Sequence, residues 1–224
     1  MSDTDSFIEE VTEEVRRDRL FLLFKRYGWI AVVAIILIVG GASYNEYAKA
    51  QDRAAAEQLG DAMIAALAQN DPAGRASELS KITADSPGGK AILQFMVSAA
   101  QANSDQLDDA VAGLTAIVSN GALPEIYRQI ATFKSLTLQA DTLPAADRRL
   151  QFESLASPGA PLRLLAEEQL ALIDISEGLT EPAIARLQAM LQDAEITRDL
   201  QQRVQQVIVA LGGTPELRQT LSEG

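Results

Sequence analysis

Residues 161–191 read PLRLLAEEQLALIDISEGLTEPAIARLQAML. Leu162, Leu165, Leu170 and Ile173 return at helical spacing in the first half of this stretch, and Leu187, Met190 and Leu191 do so in the second. Apolar residues three and four apart line one side of a helix, so the stretch predicts two amphipathic helices in succession. Its first residue, Pro161, is one of three prolines 37 residues apart, with Pro87 and Pro124. Proline has a fixed φ and no backbone donor, which suits the first turn of a helix. Three helix pairs at a constant period are therefore expected.

The earlier units carry the same pattern. After Pro87 the apolar set is Ile92, Phe95, Met96 and Ala99, followed by Leu114, Ile117 and Val118. After Pro124 it is Tyr127, Ile130, Ala131 and Leu138, followed by Leu150 and Leu155. Turn-forming residues punctuate the chain at Asn70-Asp71-Pro72, Ser86 to Gly89, Asn120-Gly121, Asp141-Thr142, Ser157-Pro158-Gly159 and Gly212-Gly213. No segment alternates as a strand would, and only 5% of the residues are aromatic, so the fold class is all-α. A helix pair of this size has two apolar surfaces and cannot hide both by itself. The expectation is a stack of antiparallel pairs with an extended concave face. Residues 48–70 and 73–84 would open the stack, residues 195–211 would cap it, and the last residues would fray.

Ahead of the stack, Tyr27 to Asn45 is an uncharged run, YGWIAVVAIILIVGGASYN. As a helix it reaches roughly 28 Å, close to the hydrocarbon thickness of a bilayer. Tyr27 and Trp29 stand at one end and Tyr44 and Tyr47 at the other, where amphipathic rings favour membrane interfaces. Arg16, Arg17, Arg19, Lys25 and Arg26 precede the run, against Lys49 and Arg53 after it, which predicts a cytoplasmic N-terminus. The expected organisation is a cytoplasmic leader (1–26), a transmembrane helix (27–47) and a periplasmic helical-repeat domain (48–224) of the bacterial inner membrane.

Two other readings of the N-terminal region remain. One is a buried core helix. The other is a cleaved signal peptide, with Ala48-Lys49-Ala50 as the small-x-small site. Gly40 to Ser43 form a small-residue patch that would admit another helix and allow an oligomerising spacer. In the leader, Ser6 and Glu9 have capping-box spacing, and Phe7, Ile8, Val11 and Val15 share one face.

Chemistry is sparse. The net charge is −12, with 5 basic against 7 acidic residues before Tyr27 and 14 against 24 after Asn45. Such a domain repels phosphate backbones, so no nucleic-acid partner is expected. Cys and His are both absent, which excludes disulfides, thiolate ligands and Ser-His-Asp catalysis. Ser86 to Ala91, SPGGKA, departs from a phosphate loop because Ala91 stands where the hydroxyl should be. The acidic neighbours Glu13/Glu14, Asp108/Asp109 and Glu167/Glu168 read as solvated helix faces, since adjacent residues diverge on a helix. Lys134, beside Phe133, is either a perturbed amine or a snorkelling side chain. No catalytic residue, cofactor or metal ligand is expected. A membrane-bound enzyme that used the carboxylates or Lys134 is the disfavoured rival.

The leader EVTEEVRRDR (10–19), the KRYG that begins the span (25–28), and the pairs ILQFMVSAAQANSDQLDDAVAGL (92–114) and LAEEQLALIDISEGLTEPAIARLQAML (165–191) give the chain an overall plan. In that plan it resembles the tetratricopeptide-like family of ancillary subunits of the Sec translocon. The likeness covers nearly the whole chain and is architectural. The period is 37 where about 34 is usual, and the W-x-x-L-G-x-x-Y signature is missing, so no partner-contacting residue carries over. The resemblance implies a periplasmic protein-binding adaptor at the translocon that holds exported polypeptides or recruits chaperones. Its implied partners are translocon subunits and periplasmic chaperones. A cell-envelope assembly or division scaffold would use the same plan on other partners.

Overall fold

The computed structural model describes residues 3–217; the side chains of residues 3–24 and of Tyr27, Gly28 and Ala31 lie outside the described set. Among the described residues there are nine helices and no strand. They are α1 (Asp3–Leu67), α2 (Pro72–Ser80), α3 (Pro87–Ala102), α4 (Leu107–Val118), α5 (Glu125–Leu138), α6 (Ala145–Leu155), α7 (Arg163–Ser176), α8 (Thr180–Leu191) and α9 (Arg198–Ala210). The chain divides into two compact units between Gln58 and Leu59.

The first unit lies within α1, whose backbone is helical from Asp3, ahead of Ser6. From Ile35 to Val39 five consecutive apolar side chains are between 57% and 71% exposed, so this part of the helix is apolar on all sides. Among the described residues, no helix is long and apolar enough to cross a membrane. The expected run begins with Tyr27 and Gly28 and includes Ala31, which lie outside the described side chains.

In the second unit the local sequence sets each helix start. Asp71 accepts from the Gly74 N–H at 2.7 Å and Ser86 from Gly89 at 3.0 Å, each followed by proline as the first helical residue. The three periodic prolines do not share one position. Pro87 is the first residue of α3, Pro124 is the N-cap of α5, and Pro161 sits before Leu162, the N-cap of α7. All three still break the preceding segment, because proline cannot continue a hydrogen-bonded helix.

Packing explains the stack. Four apolar clusters follow one another, and the first helix of each pair belongs to two. Leu93, Val97 and Ala100 of α3 pack with Met63, Ala66, Ala76 and Leu79, while Ala91 on its other side meets Leu114, Ile117 and Ala131. On α5, Ala131 joins that second cluster, and Leu136 packs with Phe152, Leu155, Leu170 and Ile173. On α7, Ala171 adds Leu187, Met190, Leu191, Leu200, Val204 and Ile208. Each fully buried leucine contributes about 1.5–3 kcal/mol, and neither side of α3, α5 or α7 can be left bare.

Three expected inward residues turn out exposed: Ile92, Ala99 and Leu150. Ile92 lies between Ala91 and Leu93, which already face the two clusters. Leu150 is two residues from Phe152 and so falls on the opposite side of α6, 70% exposed.

Candidate functional site

Helices α3 and α5 touch side by side, with α4 packed on both. Between them lies a groove of about 310 Å³ lined mainly by Phe95, Ala99, Ala102, Leu114, Phe133 and Leu138. Its aromatic walls are fixed from behind. Phe95 stacks on Tyr127 with centroids 6.5 Å apart, and Phe133 meets Phe152 edge-on at 5.6 Å. The polar groups at the rim are turned to their own helices: Asn103 donates to the Ala99 carbonyl at 2.8 Å and Thr137 to the Phe133 carbonyl at 2.9 Å. Lys134 is exposed and is the charged member of the lining. Such a groove accepts an apolar side chain and favours an acidic neighbour beside it.

The groove holds no assembled nucleophile. The hydroxyl of Ser98 is buried and accepts from Gln94 Nε2 at 3.3 Å. Among the described residues no group of acidic side chains is placed to hold a metal ion. Ser86 to Ala91 forms the capped start of α3, and Gly89 serves packing: a Cβ there would lie 3.1 Å from Leu59 Cδ2 and 3.2 Å from Ala84 Cβ.

A second polar arrangement surrounds α7, and it corrects one sequence expectation. Glu167 and Glu168 are half-buried and ion-paired across helices, not a freely solvated face. Glu167 pairs with Arg186 at 2.6 Å, and Glu168 receives Arg203 at 2.8 and 2.9 Å. Asp174, whose side chain is only 5% exposed, accepts from Arg149 at 2.7 Å and Arg186 at 3.2 Å. Arg149 also reaches Glu177 at 2.6 Å, and Arg163 binds Asp193 at 2.9 Å and Glu195 at 2.7 Å.

These contacts raise the guanidinium pKa values. At Arg149 the cause is first the bond to Asp174, at Arg163 the bond to Asp193, and at Arg203 the bond to Glu168. Burial works against the charge of Arg186, and its bonds to Glu167 and Asp174 outweigh that. A raised basic pKa keeps its stabilisation at every pH below the unfolded value, so these arginines remain charged throughout the neutral range. The network latches α6, α8 and α9 onto α7 and offers no reactive group. Asp108 and Asp109 are exposed on α4.

Of the residues singled out for topology, Arg16, Arg17, Arg19 and Tyr27 lie outside the described side chains, as do Ser6, Glu9, Glu13 and Glu14. Lys25 and Arg26 are exposed. Trp29, Tyr44 and Tyr47 are 65%, 75% and 64% exposed, and the Tyr47 hydroxyl accepts from Gln51 at 2.9 Å. The structure brings Phe95 and Phe133 together around Lys134. The signal available in the sequence was the Phe133-Lys134 neighbourhood on an otherwise apolar helix. No protein-family model matches the chain, and no curated protein and no solved structure shows significant similarity to it.

Proposed function

We propose that this chain is a membrane-tethered, non-enzymatic adaptor whose stacked helix pairs bind polypeptide. The observation that carries the reading is the apolar groove between α3 and α5, walled by Phe95 and Phe133 and bordered by one cation. It suits a protruding side chain of a partner and lacks the groups that would transform it.

The tether rests on Tyr27 to Asn45. A helix that is apolar on all sides needs an apolar surrounding, and the exposed Ile35 to Val39 segment lies inside this run, which the rings of Tyr27, Trp29, Tyr44 and Tyr47 flank in sequence. The basic residues before it orient the N-terminus to the cytoplasm and the stack to the periplasm of the inner membrane. Confinement to a membrane surface raises the local concentration of stack and partner, so a modest intrinsic affinity suffices. The likeness to the ancillary translocon subunits makes translocon subunits, periplasmic chaperones or exported polypeptides the partners of first choice.

Crosslinking of the native protein in intact membranes, followed by mass spectrometry, tests this. Links to translocon subunits or exported chaperones are expected. Reproducible links confined to division, cell-wall or assembly proteins would discard the translocon role and leave a tethered scaffold.

A further inference from the structure

The C-terminal end of the stack carries a polar arrangement that the groove does not explain. Helix α9 ends in a tight reversal. The Gly213 N–H returns to the Ile208 carbonyl at 2.9 Å and the Gly212 N–H to Val209 at 3.0 Å, with Gly212 at φ +81°. A Cβ on Gly213 would lie 2.9 Å from Ile208 Cγ2 and 3.3 Å from Ile184 Cδ1, so only glycine lets the turn lie this close. The reversal sends residues 214–217 back along α8 without helical structure.

There the chain is met by two glutamines one turn apart. Gln188 Nε2 donates to the Thr214 carbonyl at 2.6 Å, Gln188 Oε1 accepts from the Glu216 N–H at 3.0 Å, and Gln192 Nε2 donates to the Glu216 carbonyl at 2.8 Å. In an extended chain the carbonyl of one residue and both backbone groups of the residue two further on point the same way. Donor, acceptor and donor in that order are what a neighbouring strand would present. None of the three bonds uses a side chain of the tail, and the two residues bonded flank Pro215, which has no N–H to give.

We propose that Gln188 and Gln192 form a receptor for extended polypeptide backbone, and that residues 214–217 are a cis plug which an extended segment of a client polypeptide displaces. The inference deepens the adaptor reading and rests on it for the identity of the client. Since only backbone is read, a client needs an extended segment and no particular sequence. Neutral hydrogen bonds contribute about 0.5–1.5 kcal/mol each. The attached tail therefore competes well against dilute clients and poorly against clients concentrated at the membrane.

The test uses the full chain in detergent and two fluorescein-labelled synthetic peptides, one with the sequence of residues 212–224 and one with that sequence scrambled. Glu216→Pro removes the N–H that Gln188 accepts, and Glu216→Ala keeps it. By fluorescence anisotropy, the Glu216→Pro chain should bind both peptides about threefold to tenfold more tightly than wild type, and the Glu216→Ala chain should match wild type. Adding Gln188→Ala should abolish the gain. Gln192→Ala, at an exposed position that leaves the fold intact, should weaken binding about threefold or more. Binding by Glu216→Pro no tighter than wild type, or unaffected by either glutamine substitution, would overturn the proposal. Binding restricted to the native sequence would assign the site to the tail of a second copy and overturn the client. Failure here leaves the crosslinked partners of the adaptor untouched, and loss of those partners leaves peptide binding by the glutamines measurable.

Discussion

The stack joins two halves that share one apolar grammar and differ in their polar one. From α2 to α5 the helices are held by leucines and small residues. Ala110 and Ala131 are fully buried, and a Cβ on Gly113 would fall inside the Gln94 side chain and 2.8 Å from Ser98 Oγ. The ion pair seen there, Lys81 to Glu78, closes within one helical turn. From α6 to α9 equally well-packed leucines are joined by arginines that cross between helices, centred on Asp174. The repeat period specifies which faces are buried, while cross-helix charge pairs fix how one end is held.

That contrast can be broken from either side. Leu114→Ala and Leu170→Ala, one in each half, should each cost about 3 kcal/mol in urea unfolding. Neither loss should change with salt, because both remove burial alone. Next comes Asp174→Ala, at about 2–3 kcal/mol. It takes one carboxylate from each of two guanidiniums, but these are 24% and 30% exposed and keep Glu177 and Glu167 as partners. Gly113→Ala should cost about 1–2 kcal/mol, since the new Cβ displaces Gln94 and meets the buried Ser98 hydroxyl while the helix gains alanine's propensity, a loss confined to the uncharged half. Gly178→Ala should cost about 1 kcal/mol, since Gly178 sits at φ +77° in the turn between α7 and α8. Arg203→Ala should be smallest, at under about 1 kcal/mol, and should vanish in 1 M salt, because Arg203 is half exposed. An Arg203 effect that persists in high salt would show that the two halves differ less than the ion pairs indicate.

The apolar periodicity made Leu170, Ile173, Leu187, Met190 and Leu191 legible in advance, because burial follows from position on a helix. It misplaced Ile92 and Leu150, where a neighbouring residue already filled the inward direction. The turns inside two pairs carry weaker marks. Asp105 at φ +58° does in one what Gly178 does in the other, and aspartate in that conformation leaves little trace in a sequence. The network around Asp174 and the glutamine contacts to residues 214–216 were not readable. Their partners are 12 to 35 residues apart, outside the three- and four-residue spacings that report neighbours on one helix. The groove was half visible, as Lys134 beside Phe133, but its second wall comes from Phe95 on another helix.

Carbonate extraction of membranes, combined with protease treatment of spheroplasts, asks whether one span holds the stack outside the cytoplasm. The protein should stay in the membrane pellet, the stack should be degraded from the periplasmic side, and a fragment containing residues 1–26 should be protected. Release into the carbonate supernatant, or a stack that resists protease until the inner membrane is opened, would contradict it.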